Sequence, residues 1–290
     1  MITTEELRAT LGPLGIWMPP PARIGVDVES YARLIEKAGF TSVWYPGVNS
    51  IEDLAALEPA LAATDRLVVG TGIASIWTWA PGDLAAAVDR LETLYPGRFI
   101  LGLGVSHAPL VESTGQDYVK PYTKMVQFLD ELPSSLSVPL VLAALGPRML
   151  GLSRDRTAGA HPYFTPPEHT AFARQELGAG PLLIPEIAVA LAQGEVGAEQ
   201  ARAYAANYLR LPNYTGNLRR FGYTDADIAD GGSDRLMTDV VPHGPEDAQA
   251  RIAAHLSAGA DHVVIQLLGE GGRFAPGDLP VLTELTSALR

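Results

Sequence analysis

Short unbroken apolar runs, each followed by a stretch of helical periodicity, recur along the whole chain. The clearest is residues 98–107, Arg-Phe-Ile-Leu-Gly-Leu-Gly-Val-Ser-His. An apolar run without polar alternation reads as a parallel strand buried on both faces. Similar runs cover residues 14–18, 41–45, 67–76, 139–145, 160–164, 182–190 and 262–268. Helical spacing of apolar residues predicts helices over 28–39, 52–63, 83–94, 118–132, 148–158, 168–177, 245–258 and 279–290. Eight strands alternating with helices predict an α/β fold, a (β/α)8 TIM barrel forming one domain over residues 1–290. A doubly wound open sheet is the weaker alternative, because no Gly-x-Gly-x-x-Gly follows the first strand. The piece from about 193 to 260 is too long for one connecting helix. It predicts a helical insertion between strands 7 and 8 that covers the barrel mouth.

Composition narrows the partners. The chain has 290 residues, no cysteine and a formal charge of −12. Absence of cysteine excludes disulfides, thiolate catalysis and Cys-ligated metals. No Lys/Arg cluster offers nucleic acid a basic face. The acidic start, Met1-Ile2-Thr3-Thr4-Glu5-Glu6, is no signal peptide, and the longest strongly apolar stretch, 181–192, contains Glu186 and is too short to span a bilayer. A cytoplasmic protein acting on a small molecule, with no membrane or nucleic-acid partner, is the expectation. No His-Glu-x-x-His, Walker loop or Gly-x-Ser-x-Gly elbow is present, and no metal is expected.

In a barrel of parallel strands the carboxyl ends form the working face. Trp17 and Tyr45 end the first two strands, and Trp77 and Trp79 follow the third. Gathered at one mouth, these rings suit a flat ligand, although each alone also serves as hydrophobic lining. Ser106 and His107 leave strand four. Imidazole near neutral pH can shuttle a proton, and Glu112 lies five residues on. Gly146-Pro147-Arg148-Met149 opens a helix after strand five, where free amides and the helix dipole favour an anion. His161, Tyr163 and His169 surround strand six. Glu186, inside an apolar run, is either a paired structural carboxylate or a pocket residue.

Several segments then align with a known pattern: Ala38-Gly39-Phe40-Thr41-Ser42-Val43-Trp44, 64–73 (Thr-Asp-Arg-Leu-Val-Val-Gly-Thr-Gly-Ile), 91–104 ending Leu-Gly-Leu-Gly, Gly159-Ala160-His161-Pro162-Tyr163, and 259–267. Their succession resembles the bacterial luciferase-like superfamily, and within it the coenzyme F420-dependent oxidoreductases. The resemblance implies a barrel, often dimeric, with a deazaflavin or flavin across its mouth. It implies hydride transfer between F420 and a small organic substrate, with FMN-dependent monooxygenation or a non-catalytic cofactor-binding barrel as alternatives. The implied cofactor-binding residues are Trp17, Ala74, Ser75, Ile76, Ser106, His107, Gly146, Pro147, Arg148, Met149 and Tyr163. A non-proline cis peptide common in F420-using relatives maps to Ala74-Ser75-Ile76. Tyr45, Trp77 and Trp79 would line the substrate pocket, and His107 and then Glu112 are the candidate catalytic acids. One departure stands out. Many relatives end strand two with an acidic residue, whereas here the stretch is Trp44-Tyr45-Pro46-Gly47-Val48-Asn49.

Overall fold

The structure, a computed structural model, describes residues 2–20, 27–269 and 276–289. It opens with a helix that the apolar runs do not announce, α1 (Thr4–Leu11). Its signal is local: the Thr3 hydroxyl accepts from the Glu6 amide and the Glu6 carboxylate accepts from the Thr3 amide, a reciprocal capping box. Then follow β1 (Leu14–Trp17), α2 (Val28–Lys37), β2 (Ser42–Tyr45), α3 (Ile51–Ala55), α4 (Glu58–Ala62), β3 (Val68–Thr71), β4 (Ala74–Ser75), α5 (Pro81–Leu94) and β5 (Phe99–Gly104). Next come α6 (Ala108–Glu112), α7 (Pro121–Glu131), β6 (Leu140–Leu142), α8 (Pro147–Arg156), β7 (Gly159–Ala160), α9 (Pro167–Leu177), β8 (Leu182–Leu183) and β9 (Glu186–Ala190). Helices α10 (Gly194–Tyr208), α11 (Pro212–Arg220), α12 (Asp225–Ile228), α13 (Asp234–Val240) and α14 (Pro245–Ser257) separate β9 from β10 (Val263–Leu268), and α15 (Leu279–Ala288) ends the described chain.

Every strand pairing is parallel, and the order is β8-β7-β6-β5-β3-β2-β1-β10-β9, with β4 on β5. Apart from the short β4, neighbours follow chain order, so the sheet has no reversal point of the doubly wound kind. The two ends of that order are one chain segment, kinked at Pro185. Ile184 and Glu186 donate their amides to Ala160 and Pro162, while Pro185, which has no N–H, accepts from Val264. The segment predicted as one strand over 182–190 is therefore split, because its partner changes at the proline. The predicted helix 52–63 is likewise two short helices; Pro59 sits in the first turn of α4, where its missing N–H is tolerated. The run 67–76 breaks into β3 and β4 around Gly72 and Ile73.

Side chains alternate across the strands. Val43, Tyr45, Val69, Leu101, Leu103 and Ile265 face outward into one large cluster with the helices. Trp44, Val68, Ile100, Val141, Ile184 and Val264 face inward, and Leu7 and Leu11 of α1 join them. Helix α1 thus stoppers the amino-terminal end of the sheet. Asp261 pins it there, accepting from Arg8 Nε at 2.8 Å, from Arg174 at 2.6 Å and from the Leu183 amide at 2.8 Å.

The inward face also carries polar groups, and they are chained. Trp44 Nε1 donates to Ser42 Oγ at 2.8 Å, and Ser42 Oγ lies 2.7 Å from His262 Nε2. His262 Nδ1 lies 2.9 Å from the Gly12 carbonyl. A carbonyl only accepts, so Nδ1 holds the proton and Nε2 accepts from Ser42. Glycines make room: a Cβ on Gly15 would lie 2.1 Å from Ser42 Oγ, and one on Gly70 would lie 2.5 Å from the Trp44 ring.

Two expectations follow. Leu11→Ala should lower unfolding stability by about 2–5 kcal/mol, because the stopper loses buried methyls and leaves a cavity. Val196→Ala, at an exposed position, should change it little. Urea midpoints check both. The second concerns pH. Desolvation pulls His262 and His169 down to about 4 and His255 to about 3. The fold keeps these rings neutral, while the unfolded chain protonates below about 6.5. Their contribution is therefore complete above that pH and is lost as pH falls towards 4, at roughly 1.4 kcal/mol per unit for each ring. The urea midpoint should drop between pH 7.5 and pH 5, and His262→Asn should shallow the slope. A flat profile contradicts the assignment.

Candidate active site

At the carboxyl ends of the strands the buried interior opens. Trp17, Gly72, Ser106, His107, Gly146 and Tyr163 are all partly exposed there, although the strands leading to them are buried. Side-chain contacts knit this end together. The His107 ring lies 5.5 Å from Tyr214, and Tyr214 meets Tyr163 edge-on at 6.1 Å. Burial pulls the His107 pKa below the usual histidine value, so this ring is neutral near pH 7. Ser106 holds a left-handed backbone, φ 57°, turning the chain out of β5.

The floor of this opening is polar. His161 stacks on Trp44, centroids 4.7 Å apart and 18° from parallel. Its Nε2 lies 3.3 Å from Glu186 Oε2. A Cβ placed on Gly72 would be 3.3 Å from His161 Nε2 and 3.6 Å from Trp17 Cδ1, so the lack of a side chain at Gly72 lets both rings close on its partly exposed backbone. Glu186 is thus a paired carboxylate that also faces the floor. Above it the hydroxyls of Tyr163 and Tyr204 converge on Gln266 Oε1, and Tyr208 joins at 3.1 Å from Tyr204. Burial raises all three phenols, which stay protonated.

At the rim, Gly146 is the N-cap of α8, and Arg148 at the helix's second position has no carbonyl behind its amide in the helix. The Arg148 guanidinium lies over Tyr122 at 4.1 Å. Arg220, at the end of α11, comes within 3.8 Å of a Cβ built on Gly146. Neither arginine forms an ion pair among the described residues. Two free cations and a helix N-terminus make this corner attractive to an anion.

Other expected residues lie elsewhere. Tyr45 is buried in the layer between sheet and helices and not at the mouth, because the inward position next to it is Trp44. Trp79 is also buried in that layer, its Nε1 donating to Val48 O at 2.9 Å. Trp77 stays at the edge: its Nε1 donates to Val105 O at 2.7 Å and ties the loop after β4 to the end of β5. Ala74 and Ile76 face the outer layer, leaving Ser75 between them. The non-proline cis peptide is Gly72–Ile73; Ala74–Ser75 is extended backbone paired with β5. Glu112 is exposed at the end of α6, without an ion pair among the described residues. Pro147 is exposed and Met149 half-buried against the helix layer.

Tyr204, Tyr208, Tyr214 and Arg220 have no strand-end signal, since they reach the mouth from helices α10 and α11. No group of three or more His, Cys, Asp or Glu among the described residues is placed to hold a metal. A separate cavity of about 450 Å³, lined by Thr10, Glu36, Phe40 and Arg66 among others, lies at the opposite end of the sheet, away from these groups.

Residues 25–133 match a family described as luciferase-like monooxygenase. The chain is 24% identical over 180 residues to 5,10-methylenetetrahydromethanopterin reductase of Methanolobus tindarius, covering 53% of this chain and 55% of that protein. It is 28% identical over 158 residues to a Mycobacterium tuberculosis protein classed as a coenzyme F420-dependent oxidoreductase, covering 54% of this chain and 45% of that one. The matched region thus spans about half the length of these relatives. Among solved structures, an F420-dependent secondary alcohol dehydrogenase superposes with TM-score 0.67 at 17% identity over 96% of this chain and 99% of that one. The oxygenating constituent of 3,6-diketocamphane monooxygenase from Pseudomonas putida, bound to FMN, gives 0.67 at 13% identity over 96% and 98%. The fold is shared with both, and the match to the luciferase-like family covers residues 25–133.

Proposed function

We propose that this chain is a (β/α)8 barrel oxidoreductase that uses coenzyme F420 to move a hydride to or from a small organic substrate, with helices of the 193–260 insertion covering one side of its mouth. The observation that carries the reading is the floor at Gly72. Its backbone is partly exposed and is flanked at contact distance by Trp17 and His161, at the half-exposed end of an otherwise packed sheet. A planar ring system fits such a surface, because Gly72 offers backbone where any other residue would offer a side chain. The corner formed by Gly146, Arg148 and Arg220 fits the phosphate-bearing tail. When bound there, F420 supplies the hydride chemistry that no amino acid side chain provides.

The chain's own residues bind and orient. Ser106, with its backbone turned outward, and the neutral His107 face the ring edge as hydrogen-bonding groups. The Tyr163, Tyr204 and Tyr208 hydroxyls border the substrate space and, being protonated, donate rather than charge it. Helices α10 and α11 exclude water from that side. The preference for F420 over FMN rests on the resemblance of the β5 and β6 ends and on the F420 relatives, since a phosphate corner serves either cofactor.

Parallel titration of the purified protein with F420 and FMN tests the choice. F420 should bind at least tenfold more tightly, a difference of about 1.4 kcal/mol. Equal affinities, or FMN copurifying at full occupancy, would replace this reading with a flavin monooxygenase. The phosphate corner has its own check. Arg148→Ala combined with Arg220→Ala should weaken F420 binding at least tenfold and reduce the steepness with which added salt weakens it. Unchanged affinity in the double variant would place the tail elsewhere.

A further inference from the structure

The mouth contains a buried carboxylate that the binding roles above leave unused. Glu186 projects from β9 into the sheet interior and is 4% exposed. Among the described residues no arginine or lysine pairs with it; its one charged-group contact is His161, itself 2% exposed. An ionised carboxylate in such a place, without a cation, costs several kcal/mol. The cheaper states hold one proton between the two groups, either as acid beside imidazole or as carboxylate beside imidazolium.

The histidine's geometry says which nitrogen is involved. Nδ1 lies 2.7 Å from the Ile184 carbonyl, which only accepts, so Nδ1 carries a proton in either state. Nε2 is then the variable site. It has no partner of hydrogen-bond geometry, and the nearest acid oxygen is Glu186 Oε2 at 3.3 Å. The same nitrogen lies beside the partly exposed backbone of Gly72, 3.3 Å from where a Cβ would stand there. The ring cannot turn freely, because it is stacked on Trp44 and bonded at Nδ1. A buried, unpartnered nitrogen therefore points at the surface on which a planar ligand would rest.

We propose that Glu186 and His161 share a single proton and present it, through His161 Nε2, to the ligand seated over Gly72. The pair would do the work of the carboxylate that is missing after β2. This deepens the F420 reading and rests on it for the identity of the ligand. Reduction of a polar double bond adds a hydride to carbon and moves the π pair onto the heteroatom, which must then take a proton. From the acid–imidazole state Glu186 first passes the proton to Nε2, which donates it; from the carboxylate–imidazolium state Nε2–H donates it directly; either way the pair is left as carboxylate and neutral imidazole until solvent restores its one proton. Oxidation runs the same transfers backwards. The other titratable groups packed round the pair are His262, one layer below, and Tyr163, Tyr204, Tyr208 and Tyr214 above. Burial keeps His262 neutral and the four phenols protonated near pH 7, so none competes for this proton. Burial also raises the Glu186 carboxyl, in agreement with the geometry.

The test reads protonation directly. Difference infrared spectra report whether Glu186 is an acid, and nitrogen-15 NMR of labelled histidine reports the His161 ring, each with and without F420. At pH 7 the ligand-free protein should show one proton on the pair, as acid with neutral ring or as carboxylate with imidazolium. Glu186→Gln should remove the Glu186 signal and change the His161 signal while binding F420 within about twofold of wild type; Glu186→Asp should restore the shared titration. Saturating F420 should shift the His161 resonances. Carboxylate with neutral imidazole, both groups protonated, or His161 resonances unmoved by bound F420 would each overturn the proposal. Failure of F420 to bind wild type would overturn the cofactor reading, whereas the ligand-free spectra decide the shared proton either way.

Discussion

The Trp44 indole is the piece on which the interior depends. It is fully buried, and a ring of its size removes roughly 150–250 Å² from water. Burying its N–H would cost about 1–3 kcal/mol without a partner, so the ring needs Ser42. Ser42 in turn needs an acceptor, which is His262, and His262 Nδ1–H donates the last hydrogen bond to the carbonyl of Gly12. Each link has one consistent proton assignment, so the column has one arrangement. That arrangement sets the plane of the indole, and the indole sets the plane of His161 above it. The orientation of a mouth residue is therefore decided at the far end of the sheet, where α1 closes it.

This dependence explains why small residues occur where they do. Gly15 gives way to Ser42 and His262, Gly70 to the indole, and Gly72 to His161 and Trp17. The column also needs the stopper. Leu7 and Leu11 keep water from the His262 end, and Arg8 and Arg174 hold that stopper through Asp261. Removing water there keeps His262 neutral, and only a neutral Nε2 can accept from Ser42. Hydrophobic sealing and hydrogen-bond direction are thus one constraint seen from two sides.

Much of this was readable in the chain, and the rest was hidden for identifiable reasons. Strand and helix alternation, the Ser106-His107 exit and the Gly146 turn are local patterns, and local patterns survive into the fold. Parity is not local. A strand that is apolar on both faces has no marker for which residues point inward, so Tyr45 and Trp79 looked like mouth residues although Trp44 takes the inward position. The break at Pro185 was written in the sequence but reads as a change of partner only once both neighbouring strands are known. Tyr204, Tyr208 and Arg220 come from helices packed over the mouth, and no strand periodicity points to them. Glu186 was visible as an oddity in an apolar run. Its partner His161 lies 25 residues earlier, and only the sheet brings the two together.

The position of that pair also bears on how a mouth of this kind can change its chemistry. An acid placed after β2 would stand at the rim, where solvent and loop geometry both act on it. An acid on β9 stands inside, held by a strand bonded to neighbours on both sides and faced by a histidine whose ring is fixed by stacking and by the Ile184 carbonyl. Rotamer freedom is already spent in such a pair, so little ordering remains to be done when a ligand arrives. The cost is desolvation, which the pair reduces by carrying a proton between its two members. Moving an ionisable group from a loop to the interior thus exchanges adaptability for preorganisation, and it does so without altering the succession of strands and helices that builds the mouth.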